Sequence, residues 1–214
     1  MARSNRGVQG RKRGLGNKTI YILVDGETEQ IYLHQLKQVE KLKAVAIKPD
    51  LPKKKNLRDQ YELIKEEAKH YDNAIWLVDF DEILKHEREY RGKGKSPLSE
   101  FNEYHLELYA LENVDVLVNT PCLEYWYLLH LKNTRKFYAS YSAFEKDLNA
   151  KPITGYNKSR KYYVAQPGIY AKLKSNLLDA FNRAKQLGNY DTGNPQQAKA
   201  EIYRLFEILG IITE

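Results

Sequence analysis

Three short apolar runs, each closed by acids or leading into one, set the limits on this fold. Thr19–Val24 (TIYILV) stops at Asp25-Gly26, and Ala74–Val78 (AIWLV) stops at Asp79-Phe80-Asp81. Val114–Val118 (VDVLV) leads on to Pro121-Cys122-Leu123-Glu124. Runs this short and this rich in β-branched and aromatic residues read as strands buried on both faces. Between them lie segments of helical spacing: Thr28–Leu42, with Ile31, Tyr32, Leu36 and Val39 in phase, then Leu57–His70, Glu82–Tyr90 and Leu98–Leu111. A weaker strand is predicted over Ala44–Ile47, stopped by Pro49, and Pro121 is expected to open a helix reaching Leu131 because proline suits a first turn. Strands alternating with helices imply βαβ crossovers and hence an α/β fold with a mainly parallel sheet flanked by helices. Such a sheet gathers its strand ends at one edge, which is where open α/β sheets bind ligands.

Past Ala150 the pattern changes. Lys151–Pro167 is polar, basic and tyrosine-rich without a clear period. Tyr170, Leu173, Leu177, Ala180, Phe181 and Ala184 then mark one amphipathic helix. Asn194-Pro195 is expected to start another, which carries Ile202, Leu205, Phe206 and Leu209 and stops at Gly210. The expected organisation is a disordered basic tail over 1–18, an α/β core over 19–150 and a helical layer over 151–214 packed on that core.

Charge narrows the function classes. The 214 residues carry a net charge of +7. Arg3, Arg6, Arg11, Lys12, Arg13 and Lys18 lie in the first eighteen residues with no acid among them, so the remainder is nearly neutral. A Gly-rich basic arm suits phosphate backbones and also serves plain solubility. No apolar run nears the roughly 18 residues that cross a bilayer, and no apolar h-region follows the basic N-terminus. Cys122 is the single cysteine, which excludes an internal disulfide, and His34, His70, His86, His105 and His130 show no metal-ligand spacing. The expectation is a cytoplasmic protein without membrane contact or structural metal.

The acids carry the chemistry. Asp25, Glu27 and Glu29 follow the first strand, Asp79 and Asp81 the third, and Glu124 the fourth, so a parallel sheet brings them to one edge. Asp79 and Asp81, two apart in an extended segment, are expected to point the same way. Two unit charges about 4 Å apart repel by roughly 4 kcal/mol at an effective dielectric near 20. A cation offsets that, and Mg²⁺, with Mn²⁺ as a substitute, prefers oxygen ligands and keeps waters that can attack a phosphate. Taken singly, Asp25, Glu27 and Glu29 are equally suited to cap a helix, and Asp79 and Asp81 to end a strand. Glu124 is different, because its helix is apolar nearly all round and a buried carboxylate needs a partner.

At these residues the chain resembles the RloB-like family of the Toprim-fold superfamily. The matching pieces are Tyr21-Ile-Leu-Val-Asp-Gly-Glu-Thr-Glu29 with Tyr32-Leu33, Trp76-Leu-Val-Asp-Phe-Asp-Glu82, and Asn119-Thr-Pro-Cys-Leu-Glu-Tyr-Trp-Tyr-Leu-Leu-His130. Asn194-Pro195 and Ile202-Tyr-Arg-Leu205 fit the family's closing helix. The resemblance implies a Toprim core with an acid after the first strand and Asp-x-Asp after the third. Carried over, Asp25, Asp79 and Asp81 would bind Mg²⁺, with Glu29 and Glu124 as further catalytic acids. One departure stands out: the superfamily usually has Glu where this chain has Asp25, one methylene shorter. The resemblance also implies anti-phage defence, an ABC/SMC-type ATPase partner, and cleavage of nucleic acid, in some relatives tRNA.

Basic loops agree with a nucleic-acid partner: Lys53, Lys54 and Lys55; Lys93 and Lys95; and Lys158, Arg160 and Lys161, with Tyr156, Tyr162 and Tyr163 interleaved for base stacking. The same tyrosines could equally fold back onto the core. His130 and Cys122 are expected to pack in the core rather than react. The leading expectation is a Mg²⁺-dependent Toprim nuclease on RNA or DNA. The alternative is a non-catalytic Toprim module that binds nucleic acid or docks on the ATPase, and self-association stays open. A receiver would need a Lys after a late strand, which this chain does not offer, and a haloacid-dehalogenase-type phosphatase would need its Asp-x-Asp after the first strand rather than the third. No Gly-rich phosphate loop follows Val24.

Overall fold

The structure is a computed structural model and describes residues 18–42, 46–50 and 56–213. The basic tail and Lys53, Lys54 and Lys55 lie outside these residues. Among them the chain runs β1 (Thr19–Leu23), α1 (Glu27–Val39), β2 (Ala46–Asp50), α2 (Leu57–Glu67), β3 (Asn73–Asp79), α3 (Phe80–Glu89), α4 (Pro97–Tyr109), β4 (Val114–Thr120) and α5 (Leu123–Leu131). It continues through α6 (Arg160–Val164), α7 (Ile169–Leu173), α8 (Leu177–Lys185), β5 (Lys199–Ala200) and α9 (Tyr203–Ile208). The sheet order is β2-β1-β3-β4-β5, with the first four strands parallel and β5 antiparallel to β4. This is the mainly parallel α/β sheet expected from the pattern.

Alternation along each strand sorts the apolar residues into two cores. Ile20 and Ile22 of β1, Ile75 and Leu77 of β3 and Leu117 of β4 face one layer, which holds α1, α5 and the C-terminal helices. Tyr21 and Leu23, Trp76 and Val78, and Val116 and Val118 face the other, under α2, α3 and α4. Burial on both faces is why the strands read as unbroken apolar runs. β1 lies between β2 and β3, so the connections leave it in opposite directions and create the switch point at which such sheets hold ligands.

Several boundaries differ from the expected ones. β2 runs through Pro49 rather than stopping before it. A proline is tolerated there because β2 is an edge strand. Pro121 precedes the first turn of α5 instead of forming it, and Cys122 is the N-cap residue. Asp81 is not in an extended segment with Asp79, since Asp79 ends β3 and Asp81 is already in the first turn of α3.

The single helix expected over Tyr170–Ala184 is broken by a 3-10 turn at Lys174–Asn176. That turn lets Asn176 Nδ2 bond the His130 carbonyl at 3.0 Å, while Arg183 bonds the Leu129 carbonyl at 2.7 Å. Together they satisfy carbonyls that the end of α5 leaves open. Asn194-Pro195 does not start a helix either; β5 follows it, and α9 begins at Tyr203. Glu201 explains the difference, because its buried carboxylate accepts the Val118 and Tyr190 amides, both at 2.7 Å, and pins the segment to the sheet. Gly210 does stop α9, at φ +65°, a left-handed position that suits glycine.

Candidate metal centre

The sheet's central strands bring the acids together. Asp25 leaves β1 and Asp79 ends β3 beside it, and the Asp79 amide donates to Asp25 Oδ2 at 2.8 Å. Neither aspartate side chain caps the helix that follows it: the N-cap residues are Gly26 for α1 and Asp79 for α3, neither with a side-chain capping bond. Asp79 Oδ1 instead accepts the first amide of α5, Leu123 N, at 2.9 Å. A further bond from Asp81 N to the Pro121 carbonyl, at 2.9 Å, ties the start of α3 to the turn before α5. Three strand ends thus share one cross-braced corner.

Around that corner lies a cleft of about 680 Å³, lined by Asp25, Glu29, Asp79, Asp81, Cys122 and Lys158 among others. Glu29 is buried on α1 and folds back toward the helix start. An added Cβ at Gly26 would come within 2.5 Å of Glu29 Oε2, so a residue without a side chain makes room for this carboxylate. Glu27 turns away and pairs with Arg160.

Glu124 is fully buried on α5, and its partners are now visible. Oε1 accepts the Tyr156 hydroxyl at 3.0 Å and that of Tyr163 at 3.3 Å, and Oε2 lies 2.9 Å from Lys158 Nζ. Tyr156 and Tyr163 are buried, so they do not form the base-stacking surface that the sequence allowed; their hydroxyls are needed on Glu124. Tyr162 is half-buried, with the Lys172 ammonium over its ring.

Electrostatics bind the cluster into one system. Burial, opposed by the Asp79 amide and then reinforced by the charges of Glu29, Asp81 and Glu82, pushes the Asp25 carboxyl up to about 7. Asp25 as a whole residue reaches solvent at the cleft mouth, while its carboxyl turns in to the Asp79 amide among the other acids. Burial also holds Asp79 well above the usual carboxylate range, with repulsion from Glu29 and Glu124 next in weight. Glu29 and Asp81 are raised for the same first reason; Glu124 repulsion adds to it at Glu29, while Lys158 attraction opposes it at Asp81. For Lys158, burial works to lower the ammonium, and the Glu124 charge outweighs it, so the group stays firmly protonated.

Donor chemistry fits a hard dication, since carboxylate oxygens are what Mg²⁺ takes. Donor atoms of Asp79, Cys122 and Glu124 lie within 4.8 Å of one another. Burial and the two neighbouring acids raise the Cys122 thiol well above its ordinary value, and a hard dication prefers the carboxylate oxygens to sulfur. His130 also stays in the core: its ring stacks edge-on against Trp126 and bonds the Trp126 carbonyl, and burial lowers it to about 4.

A protein-family model described as RloB-like protein matches residues 20–209. The chain belongs to the RloB-like family. No curated protein and no solved structure shows a match to it. The matched span of this RloB-like chain contains every acid of the cleft together with Lys158, Tyr156 and Tyr163, and it ends just past α9.

The basic residues scatter by comparison. Lys95 pairs with Glu103, Arg160 with Glu27, and Lys93 and Lys161 are exposed. Lys158 alone of these enters the cleft. Its place beside Glu124 is the feature that sequence reasoning missed, along with the two tyrosine hydroxyls. The available signal was Glu124 itself, an acid in an apolar helix that had to be paired.

Proposed function

We propose that this RloB-like chain is a Mg²⁺-dependent nuclease of the Toprim type, acting on RNA (tRNA included) or DNA in anti-phage defence under the control of an ABC/SMC-type ATPase. The observation that carries it is the meeting of carboxylates from the ends of β1 and β3 in one open cleft, with the buried Glu124 after β4 within 4.8 Å of Asp79. Their mutual repulsion, opposed among the described lysines and arginines by Lys158 alone in the cleft lining, is what a dication relieves. Asp25, Asp79 and Asp81 would hold Mg²⁺ or Mn²⁺, with Glu124 as a further ligand and Glu29 bordering it. Bound there, the ion supplies charge stabilisation to phosphodiester oxygens and an acidified water.

The protein's own groups divide the remaining work. Asp79 is oriented by the Leu123 amide and Asp25 by the Asp79 amide, so both carboxylates are set before anything binds. Glu29, kept protonated more easily by burial, is suited to carry a proton to or from a reacting oxygen. Lys93 and Lys161 are exposed cations available to a phosphate backbone. Among the described residues no helix is long and apolar enough to cross a membrane.

The test is cleavage of tRNA and of plasmid DNA with Mg²⁺, comparing the parent with Asp79→Ala/Asp81→Ala. A loss of about a thousandfold or more is expected, on the scale of removing the chief electrostatic stabilisation of a transition state. Equal rates in both would remove the nuclease. A second reading is a non-catalytic module that binds nucleic acid or docks on the ATPase, favoured by Asp25 standing where Glu is usual and by Lys158 already neutralising Glu124. It predicts Mg²⁺-independent nucleic-acid binding and no turnover even with the ATPase added.

A further inference from the structure

Lys158 comes from a loop, yet its charge is spent inside the acidic cleft. Around it Gly155 is left-handed at φ +76°, Asn157 bonds both Gly155 O and Ser159 N, and α6 begins only at Arg160. From there the ammonium reaches within 2.9 Å of Glu124 Oε2 and 4.4 Å of the centre of the Tyr141 ring. The two members of the ion pair are held very differently. Glu124 is wholly buried on α5, with its other oxygen fixed by two tyrosine hydroxyls, while 38% of the Lys158 side chain is exposed. One end is anchored and the other is free to leave.

We propose that Lys158 is an internal cation that competes with a divalent ion for Glu124, and that loading of the site frees its ammonium for the phosphate of the substrate. This rests on the metal-site reading above. A single positive charge can balance one carboxylate of the cleft, and Asp25, Glu29, Asp79 and Asp81 still face one another. A dication relieves more of that repulsion, but an ammonium at Glu124 Oε2 repels it. The two cations therefore exclude each other from the same oxygen. A lysine suits exchange better than an arginine, because it is a compact point charge on a flexible stem and makes no bidentate fork. Its exposed stem keeps the released ammonium within the cleft, where an anionic substrate would meet it.

The test measures Mg²⁺ affinity calorimetrically on the full chain, its Lys158→Met variant and its Lys158→Arg variant. Lys158→Met is expected to bind about tenfold more tightly, and Lys158→Arg to bind no more tightly than the parent, since only the first removes the competing charge and the second holds the carboxylate at least as firmly. A second readout needs no substitution: acetylation of Lys158 by an amine-reactive reagent, followed by mass spectrometry, should speed up several-fold when Mg²⁺ is added. Labelling of the exposed Lys161 should not change. Equal affinities in parent and Lys158→Met, or Lys158 labelling that Mg²⁺ leaves unchanged or slows, would overturn the exchange and leave the metal site standing. No divalent binding in any of the three chains would remove the metal site and this proposal together.

Discussion

Two carboxylates flank the C-terminal end of β4, Glu201 buried on the β5 side and Asp79 half-buried on the β3 side, and they are held in opposite ways. Glu201 stands beside Val118, and each of its oxygens accepts a backbone amide at 2.7 Å. Nearby Arg204 and Lys199 favour its charge. In the cleft, Asp79 accepts one amide, at Leu123, and otherwise faces Glu29, Glu124, Asp25 and Asp81. A structural acid is buried because the backbone uses it. The cleft acids are held close against their own repulsion, and the fold gains nothing from that unless something else binds.

Replacing acid by amide separates the two with the largest expected effect. Glu201→Gln keeps the shape but turns a donor toward a backbone amide, leaving a buried N–H unpaired. It should cost about 2–4 kcal/mol in urea denaturation. Asp79→Asn keeps the acceptor for Leu123 N and removes a repelled charge, so in EDTA it should stabilise the chain by about 1–2 kcal/mol. If both substitutions shift stability in the same direction, the two sites are not different in kind.

Acidity gives the next effect. A carboxyl whose folded value lies above its unfolded one favours the folded state only once it is protonated. Asp25, raised to about 7, with Asp79, Glu29 and Asp81 raised beside it, therefore makes the metal-free chain more stable as pH falls from 8 toward 6.5. The rise in Tm should be roughly 2–6 °C. Below about 6.5 His130, lowered to about 4 in the fold, works the other way as the unfolded chain binds its proton. Saturating Mg²⁺ should flatten the slope between pH 8 and 6.5, apart from the share that belongs to Glu201, whose carboxyl burial also raises. A slope indifferent to Mg²⁺ would mean that the cleft does not take the ion.

How far the sequence carried differs between sheet and site for a physical reason. β1, β3 and β4 were legible because burial on both faces writes an apolar run into consecutive residues, and parallel order then gathered Asp25, Asp79 and Glu124. β5 was not legible, being two residues held by Glu201 and not by any pattern of their own. Lys158, Tyr156 and Tyr163 lie in a stretch without period, and they meet Glu124 across 32 to 39 residues of chain. Long-range polar pairing leaves no local mark beyond the acid that demands it. The break between α7 and α8 was hidden likewise, because the apolar spacing continues through it while Asn176 and Arg183 answer to the carbonyls of α5.

The finest probe of the cleft is Gly26. Its φ of −142° is open to any residue, so Gly26→Ala carries no backbone strain and should change stability by no more than about 0.5 kcal/mol. The added methyl would meet Glu29 Oε2 at 2.5 Å, and the carboxylate, at the tip of a flexible side chain, must swing aside. Its Thr28 hydroxyl contacts, at 3.1 Å to each oxygen, would be lost or redrawn. Mg²⁺ affinity should then fall by about three- to tenfold with Tm nearly unchanged, a split that calorimetry and thermal denaturation read on the same sample. A matching substitution beside Glu201 has no metal affinity to lose. Should Gly26→Ala instead leave Mg²⁺ binding untouched, Glu29 does not border the ion, and the site narrows to the aspartates and Glu124.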